Sequence, residues 1–314
     1  MAGIKVAELA YGRLFSPDLD KQEKFLTDFG MVRAARTPTT LYMRGTDPQH
    51  HIHVTELGEP RFGGYGFIVS SEEELEKASR LEGASKIETV DEPGGGKRVR
   101  LTDPLGYRID VIHGMTKVDP LPVVPHAQMN TGSERKRIGG SVRLGKKIPQ
   151  VKRIGHAGYY TTKSAEVIAW YRQTLGLIQS DDIYRDEKSN IVASFNRCDQ
   201  GDTFVDHHAI LVVQGDKNGL NHLSFEVQDF DDLMLGHHHL RAQGYKHAWG
   251  IGRHGLGSNV FDYWADPWGR LHEQWTDADL MNRASGSNLL SVEEGFQSQW
   301  GSPAAAEFRG YATP

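Results

Sequence analysis

The stretch LTDPLGYRIDVIHG, Leu101 to Gly114, recurs as WADPWGRLHEQW, Trp264 to Trp275, and no other feature of the chain constrains its fold as much. Both copies carry Asp-Pro-x-Gly, a turn unit in which proline presets φ and glycine tolerates the open backbone region. A strand follows in each, with Asp110 and Glu273 at the same offset. Two further pairs extend the correspondence. GYGFIVSSEEEL (Gly64 to Leu75) matches HLSFEVQDFDDL (His222 to Leu233), each a short apolar strand and an acidic helix start. VAELAYG and VKRIGHAGYY each begin a strand and a helix, closed by Gly30 or Gly176. The chain therefore reads as four units of strand, helix and three strands, starting near residues 5, 63, 152 and 219. The expected class is α+β, with four βαβββ modules paired into two barrel-like domains.

The expected organisation is a two-module domain over 1–115 and a Pro-, Gly-, Lys- and Arg-rich connector over 116–150. A second two-module domain follows over 151–282, then a tail over 283–314. Asp229 is placed to cap a helix that Gly244 ends. Val167, Ile168, Tyr171 and Leu175 form a helical stripe suited to packing on a sheet.

Composition excludes several classes. A formal net charge of -5 with 25% charged residues does not suit a general nucleic-acid or membrane-surface binder. The basic run Arg135–Lys152 reads as solvated linker. Cys198 is the sole cysteine of the sequence, so no intramolecular disulfide forms and a reducing compartment fits. Neither a secretory signal nor a run of about 20 apolar residues is seen, and the expected setting is cytoplasmic.

The repeats pose a chemical question at Glu273. Its strand neighbours Leu271 and Trp275 share its face, and a carboxylate turned into apolar surroundings needs a partner or a cation. Aligning the units sets His156 against Ala10 or Tyr11, according to a one-residue gap, His222 against Gly64, and Glu273 against Asp110. Three potential ligands thus occupy the second half and one the first. Strand alternation gives His222 the face of Leu220, Ser224 and Glu226, opposite Leu223, Phe225 and Val227. Two imidazoles and a carboxylate form the facial set suited to non-haem Fe(II), with three positions left open. Mn(II) has overlapping ligand preferences.

The ordered set GHAGYY, VDHHAIL, NHLSFEV, GRHGLGSNVFDYWADPWG and HEQW resembles the two-domain type I extradiol ring-cleavage dioxygenases of the vicinal oxygen chelate superfamily. The likeness spans roughly Val6 to Thr276 and includes enzymes acting on catechol and dihydroxybiphenyl. It implies His156, His222 and Glu273 as metal ligands and His208 as the acid–base histidine beside the oxygen position. His207, its neighbour, is expected to point the other way on a strand. The resemblance also implies that His254, in a glycine-rich loop, and Tyr263 lie near the substrate hydroxyls. The implied reaction inserts both atoms of O2 into an aromatic vicinal diol during aromatic catabolism, in a homo-oligomer. Two other readings of the fold are a metal-dependent glyoxalase-like isomerase or lyase and a non-enzymatic aromatic-ligand-binding protein. The run His237, His238 and His239 is expected to face several directions on a helix, as surface or helix-packing residues rather than a second metal site, and His50, His51 and His53 are read as structural.

Overall fold

The computed structural model describes residues 3–125, 128–145, 148–304, 308 and 311–314. The first half runs β1 (Val6–Ser16), α1 (Leu19–Asp28), β2 (Val32–Arg36), β3 (Thr40–Arg44) and β4 (His53–Leu57). Its second module is β5 (Arg61–Val69), α2 (Glu72–Ala78), β6 (Glu88–Thr89), β7 (Lys97–Thr102) and β8 (Arg108–His113). The later half opens with β9 (Val151–Thr161), α3 (Ser164–Leu175), β10 (Ile178–Tyr184), β11 (Ile191–Arg197), β12 (Val205–Asp206) and β13 (Ile210–Gln214). It continues with β14 (Gly219–Val227), α4 (Phe230–Ala242), β15 (Lys246–His254), β16 (Val260–Ala265) and β17 (Leu271–Thr276). Each module is βαβββ, with the short β12 as an addition.

The first sheet has the order β2-β3-β4-β1-β5-β8-β7-β6, and β10-β11-β13-β9-β14-β17-β16-β15 repeats it in the second. Within each half the modules join through an antiparallel pair of their first strands, β1 with β5 and β9 with β14. The segment after Arg283, expected as a tail, extends this second sheet. β18 (Leu280–Met281) lies just before it and pairs with β12 in a separate two-stranded sheet, whereas β19 (Asn288–Ser291) adds to β10, α5 (Val292–Gly295) follows, and β20 (Ser298–Gly301) adds to β15. Sequence alone missed this because edge strands need only a complementary edge, not an apolar face.

Local chemistry explains the helices. Asp229 Oδ1 accepts from Asp232 N at 2.8 Å and so caps α4, and Gly244 just beyond it has φ +78°. The α3 stripe Val167, Ile168, Tyr171 and Leu175 is buried. One apolar core runs through both halves, helped by the missing side chain of Gly12, where a Cβ would come within 2.4 Å of Leu223 Cδ1. Polar groups also join the halves. Gln274 Nε2 donates to Phe29 O at 2.8 Å, and the buried His53 stacks on His272 with ring centroids 5.4 Å apart.

The two Asp-Pro-x-Gly turns differ in one consequential position. Asp266 accepts from the Arg270 Nε at 2.7 Å, whereas the first copy has Tyr107 where Arg270 stands. Asp103 takes N–H groups from Leu105 and Tyr107, both at 2.9 Å. Burial nevertheless pushes its carboxyl from an ordinary 3.8 up to about 6. The folded state therefore binds this proton more tightly than the unfolded chain, and stability falls as pH rises through the window from 3.8 to about 6. Asp103→Asn keeps the accepting oxygen and removes the charge. Urea unfolding at pH 4.5 and 7.5 is expected to show wild type losing about 2 kcal/mol more than this variant across that interval. Equal losses would refute the assignment to Asp103.

Candidate functional site

The repeat predicts where the site lies, and strand register settles its alignment. In the second half His156 pairs with Ser224, which pairs with Glu273. In the first half Tyr11 pairs with Gly66, which pairs with Asp110. Tyr11, not Ala10, is thus the counterpart of His156. Likewise His222 pairs with Gly158 as Gly64 pairs with Arg13. Gly158 leaves room for the imidazole, since a Cβ there would lie 2.7 Å from His222 Cε1. In the first half the bulk is exchanged: the glycine faces an arginine.

That exchange accounts for both buried acids. Asp110 accepts from Tyr11 at 2.7 Å, from Arg108 Nε at 2.7 Å and from Arg13 Nη2 at 3.2 Å. Burial alone would raise its carboxyl, but the two guanidinium groups and the tyrosine hydroxyl hold it below its ordinary value. Among the described residues Glu273 has no such arginine beside it. It is fully buried, with His156 Nε2 at 3.0 Å and His222 Nε2 at 3.7 Å from Oε2, and Ser224 Oγ donates to the same oxygen. His254 Nε2 is 3.5 Å from Oε1, too long for a good hydrogen bond. Burial opposes the charge on Glu273, yet the imidazoles of His156, His254 and His222 hold its carboxyl well below the usual range.

One ligand atom from each of His156, His222 and Glu273 lies within 4.8 Å of the other two. His222 Nε2 and Glu273 Oε1 are buried without a hydrogen-bond partner among the described residues. An orphaned pair of this kind is costly unless something else binds there. Asn221 Oδ1, 2.7 Å from His222 Nδ1, accepts its proton and so aims a bare Nε2 lone pair at Glu273. Burial lowers the His222 pKa to about 3, which keeps the imidazole neutral. Two imidazole nitrogens and a carboxylate oxygen are a fitting donor set for a divalent ion. Asn221 was missed in the sequence because a register shift between Leu220 and His222 breaks the strand alternation.

His208 also reaches this centre, its ring centroid 4.0 Å from that of His156. His207, expected on a strand, is not on one. Both histidines stand in a bend between β12 and β13, where strict alternation does not apply, and both are buried. Backbone hydrogen bonds from His207 N to Asp279 O and from Ala209 N to Asn196 O hold the bend. His207 Nε2 lies 2.7 Å from Asp181 Oδ2, and His207 Nδ1 lies 3.1 Å from His208 Nδ1. Asp181, its carboxyl held below the ordinary value, accepts from His207 Nε2–H, and His208 Nδ1–H donates to His207 Nδ1. His208 Nε2 is then left unprotonated. Burial, reinforced by His156 and His207, keeps the His208 pKa well below its ordinary value.

Tyr263 on β16 pairs directly with Glu273 and brings its hydroxyl 3.1 Å from His254 Nε2. Burial and the nearby Glu273 charge raise the phenol well above its ordinary value, so it stays protonated. His254 is the last residue of β15 rather than part of a loop. The neighbouring glycine serves packing: a Cβ on Gly252 would lie 2.6 Å from Phe261 Cζ. These groups open on a cavity of about 770 Å³ whose walls include Val192, Phe195, Leu211, Leu256, Phe296 and Phe308. Phe296 and Phe308 come from the segment expected as a tail, and no periodicity there betrays a wall.

The same geometry can be set beside known proteins. Residues 153–273 match the model of the Glyoxalase/Bleomycin resistance protein/Dioxygenase superfamily. Metapyrocatechase 2 of Cupriavidus necator is 30% identical over 289 residues, covering 91% of this chain and 86% of that protein. The manganese-dependent 2,3-dihydroxybiphenyl 1,2-dioxygenase of Geobacillus genomosp. 3 is 23% identical, covering 84% and 82%. Homoprotocatechuate 2,3-dioxygenase from Brevibacterium fuscum, in complex with 3,4-dihydroxyphenylacetate, superposes with a TM-score of 0.83 at 19% identity over 99% of this chain and 94% of that one. A Mn(II)-bound glyoxalase from Novosphingobium aromaticivorans gives 0.79 at 20% identity over 99% and 97%. The fold is shared with both structures. Among the described residues no helix is long and apolar enough to cross a membrane.

Proposed function

The chain belongs to the extradiol dioxygenases of the Glyoxalase/Bleomycin resistance protein/Dioxygenase superfamily, and from that premise we propose that His156, His222 and Glu273 hold Fe(II) for the cleavage of an apolar catechol. The carrying observation is that His222 Nε2 and Glu273 Oε1, buried in one cluster of ligand atoms, have no hydrogen-bond partner among the described residues. When bound, the ion supplies Lewis acidity toward the two diol oxygens and a path for electrons from the ring to O2. Mn(II) would satisfy the same donors.

The protein's own groups supply position and protons. Tyr263 and His254, 3.1 Å apart, form a hydrogen-bonding edge for one substrate hydroxyl. The unprotonated His208 Nε2 is the base that accepts a proton from the diol and, once charged, the acid that returns it as the ring opens. His207 and Asp181 steady this imidazole and stabilise its transient positive charge. Glu273 would offset the ion's charge from within the buried ligand set.

The pocket wall suggests the substrate class. Most named wall residues are aliphatic or aromatic, and the charged lining residue, Arg185, is exposed. An apolar ring substituent gains about 0.8 kcal/mol for each CH₂ buried, while a carboxylate loses its hydration. Enzyme reconstituted anaerobically with Fe(II) is expected to consume one O2 per catechol and form a ring-opened semialdehyde-type product. Alkyl- or aryl-catechols should exceed carboxymethyl-catechol in kcat/KM by about tenfold. Turnover that continues without O2 would replace this reading by an isomerase or lyase.

A further inference from the structure

A second group of ligand atoms converges on the other face of β16. Asp262 precedes Tyr263, so its side chain turns away from the cavity toward α4. His247 Nε2 from β15 lies 2.7 Å from Asp262 Oδ1, and His237 Nδ1 from α4 lies 3.1 Å from Asp262 Oδ2. One donor atom from each lies within 4.8 Å of the other two. His237 thus does more than pack, and its partners come from outside the His237–His239 run.

The internal repeat shows that the fold does not require this acid. Tyr263 pairs with Glu273 as Arg100 pairs with Asp110, which makes Val99 the counterpart of Asp262. Val99 is wholly buried, so the first half fills the same place with an apolar side chain. In the second half a carboxylate that is 0% exposed replaces it, with histidines at 16% and 32% exposure as its ion-pair partners. Trp264 Nε1 donates to Asp262 Oδ2 at 2.6 Å. Gly250 keeps the space beside the acid open, since a Cβ there would lie 2.8 Å from Asp262 Oδ1. A buried acid in place of valine is expensive unless a cation or a protonated partner compensates it.

We propose that His237, His247 and Asp262 form a structural site for a divalent cation of the zinc class, tying α4 to β15 and β16. Two imidazole nitrogens and a carboxylate oxygen are three ligands of a tetrahedral zinc site, and the half-buried His247 leaves a fourth place for water. Tetrahedral zinc sets its ligand atoms about 3.3 Å apart, so the imidazole–carboxylate contacts of 2.7 and 3.1 Å need to lengthen by a few tenths of an ångström. The site stands apart from the catalytic centre, because Asp262 and Tyr263 point to opposite faces of one strand.

The test uses Fe(II)-loaded, full-length protein titrated anaerobically with Zn(II), with metal content measured after dialysis. Wild type is expected to retain its iron and take up one further equivalent of zinc per chain. His247→Ala should lose that equivalent while keeping its iron and its O2-uptake rate. Asp262→Val, which borrows the first half's own solution, should fold, lose the zinc equivalent and show no thermal shift. Wild type at a hundredfold excess over Kd should gain about 5 °C in Tm. No second equivalent in wild type, or an undiminished one in His247→Ala or Asp262→Val, overturns the proposal and leaves the cluster as a hydrogen-bonded strut.

Discussion

Glu273→Ala, prepared and loaded without oxygen, is expected to bind Fe(II) at least about 100-fold more weakly than wild type and to show no measurable ring cleavage. Loss of a group that only orients a ligand already costs about 10- to 100-fold in affinity, and Glu273 is assigned as a ligand. It also carries the charge that offsets the ion. The repeat provides the control, because Asp110 holds the equivalent position in the first half. Asp110→Ala strands Arg13 and Arg108 beside an empty acid position. It should cost about 3 kcal/mol in stability, since breaking a buried pair leaves an uncompensated charge, yet leave iron stoichiometry unchanged. Metal analysis, urea unfolding and O2 uptake on the same two preparations separate these effects. Full iron occupancy and wild-type turnover in Glu273→Ala would remove the basis of the assignment.

His208→Phe is expected to separate metal binding from chemistry. The phenyl ring can occupy the buried place against His156 and Phe195 but cannot carry a proton. Iron affinity should stay within about threefold, while kcat at saturating diol falls by about 10² to 10⁴, the span expected when a positioned acid–base group is removed. Asp181→Asn leaves His208 in place and alters only the far end of the His208–His207–Asp181 chain, so a smaller fall of about tenfold is expected. The ordering matters more than either value. A His208→Phe enzyme that turns over as fast as Asp181→Asn would deny His208 its proton-transfer role.

Parts of this architecture are legible in the chain because they depend on local chemistry. Asp-Pro-x-Gly marks a turn wherever it occurs, and its two copies carry Asp110 and Glu273 at one offset, which exposes the repeat. The alternation of Leu223, Phe225 and Val227 assigns their common buried face. Other parts resist such reading. His207 lies in a bend, where alternation does not apply and cannot reveal its partners Asp181 and His208. Asn221 reaches His222 through a register shift, and His254 completes a strand whose glycine reads as loop. Asp262 is an acid in a strand with nothing nearby in sequence to mark its partners, which come from α4 and β15.

By itself the sequence determined the four-module repeat, the turns that punctuate it and the three side chains placed to meet, because periodicity and turn preference act over a few residues. Only the tertiary structure decided that Tyr11 replaces His156 in the first half, that arginine supplies the cation there, and that Phe296 and Phe308 wall the cavity. Those outcomes depend on register and on distances between segments far apart in the chain. Neither is set until the strands have paired and the side chains between them have taken up the available volume.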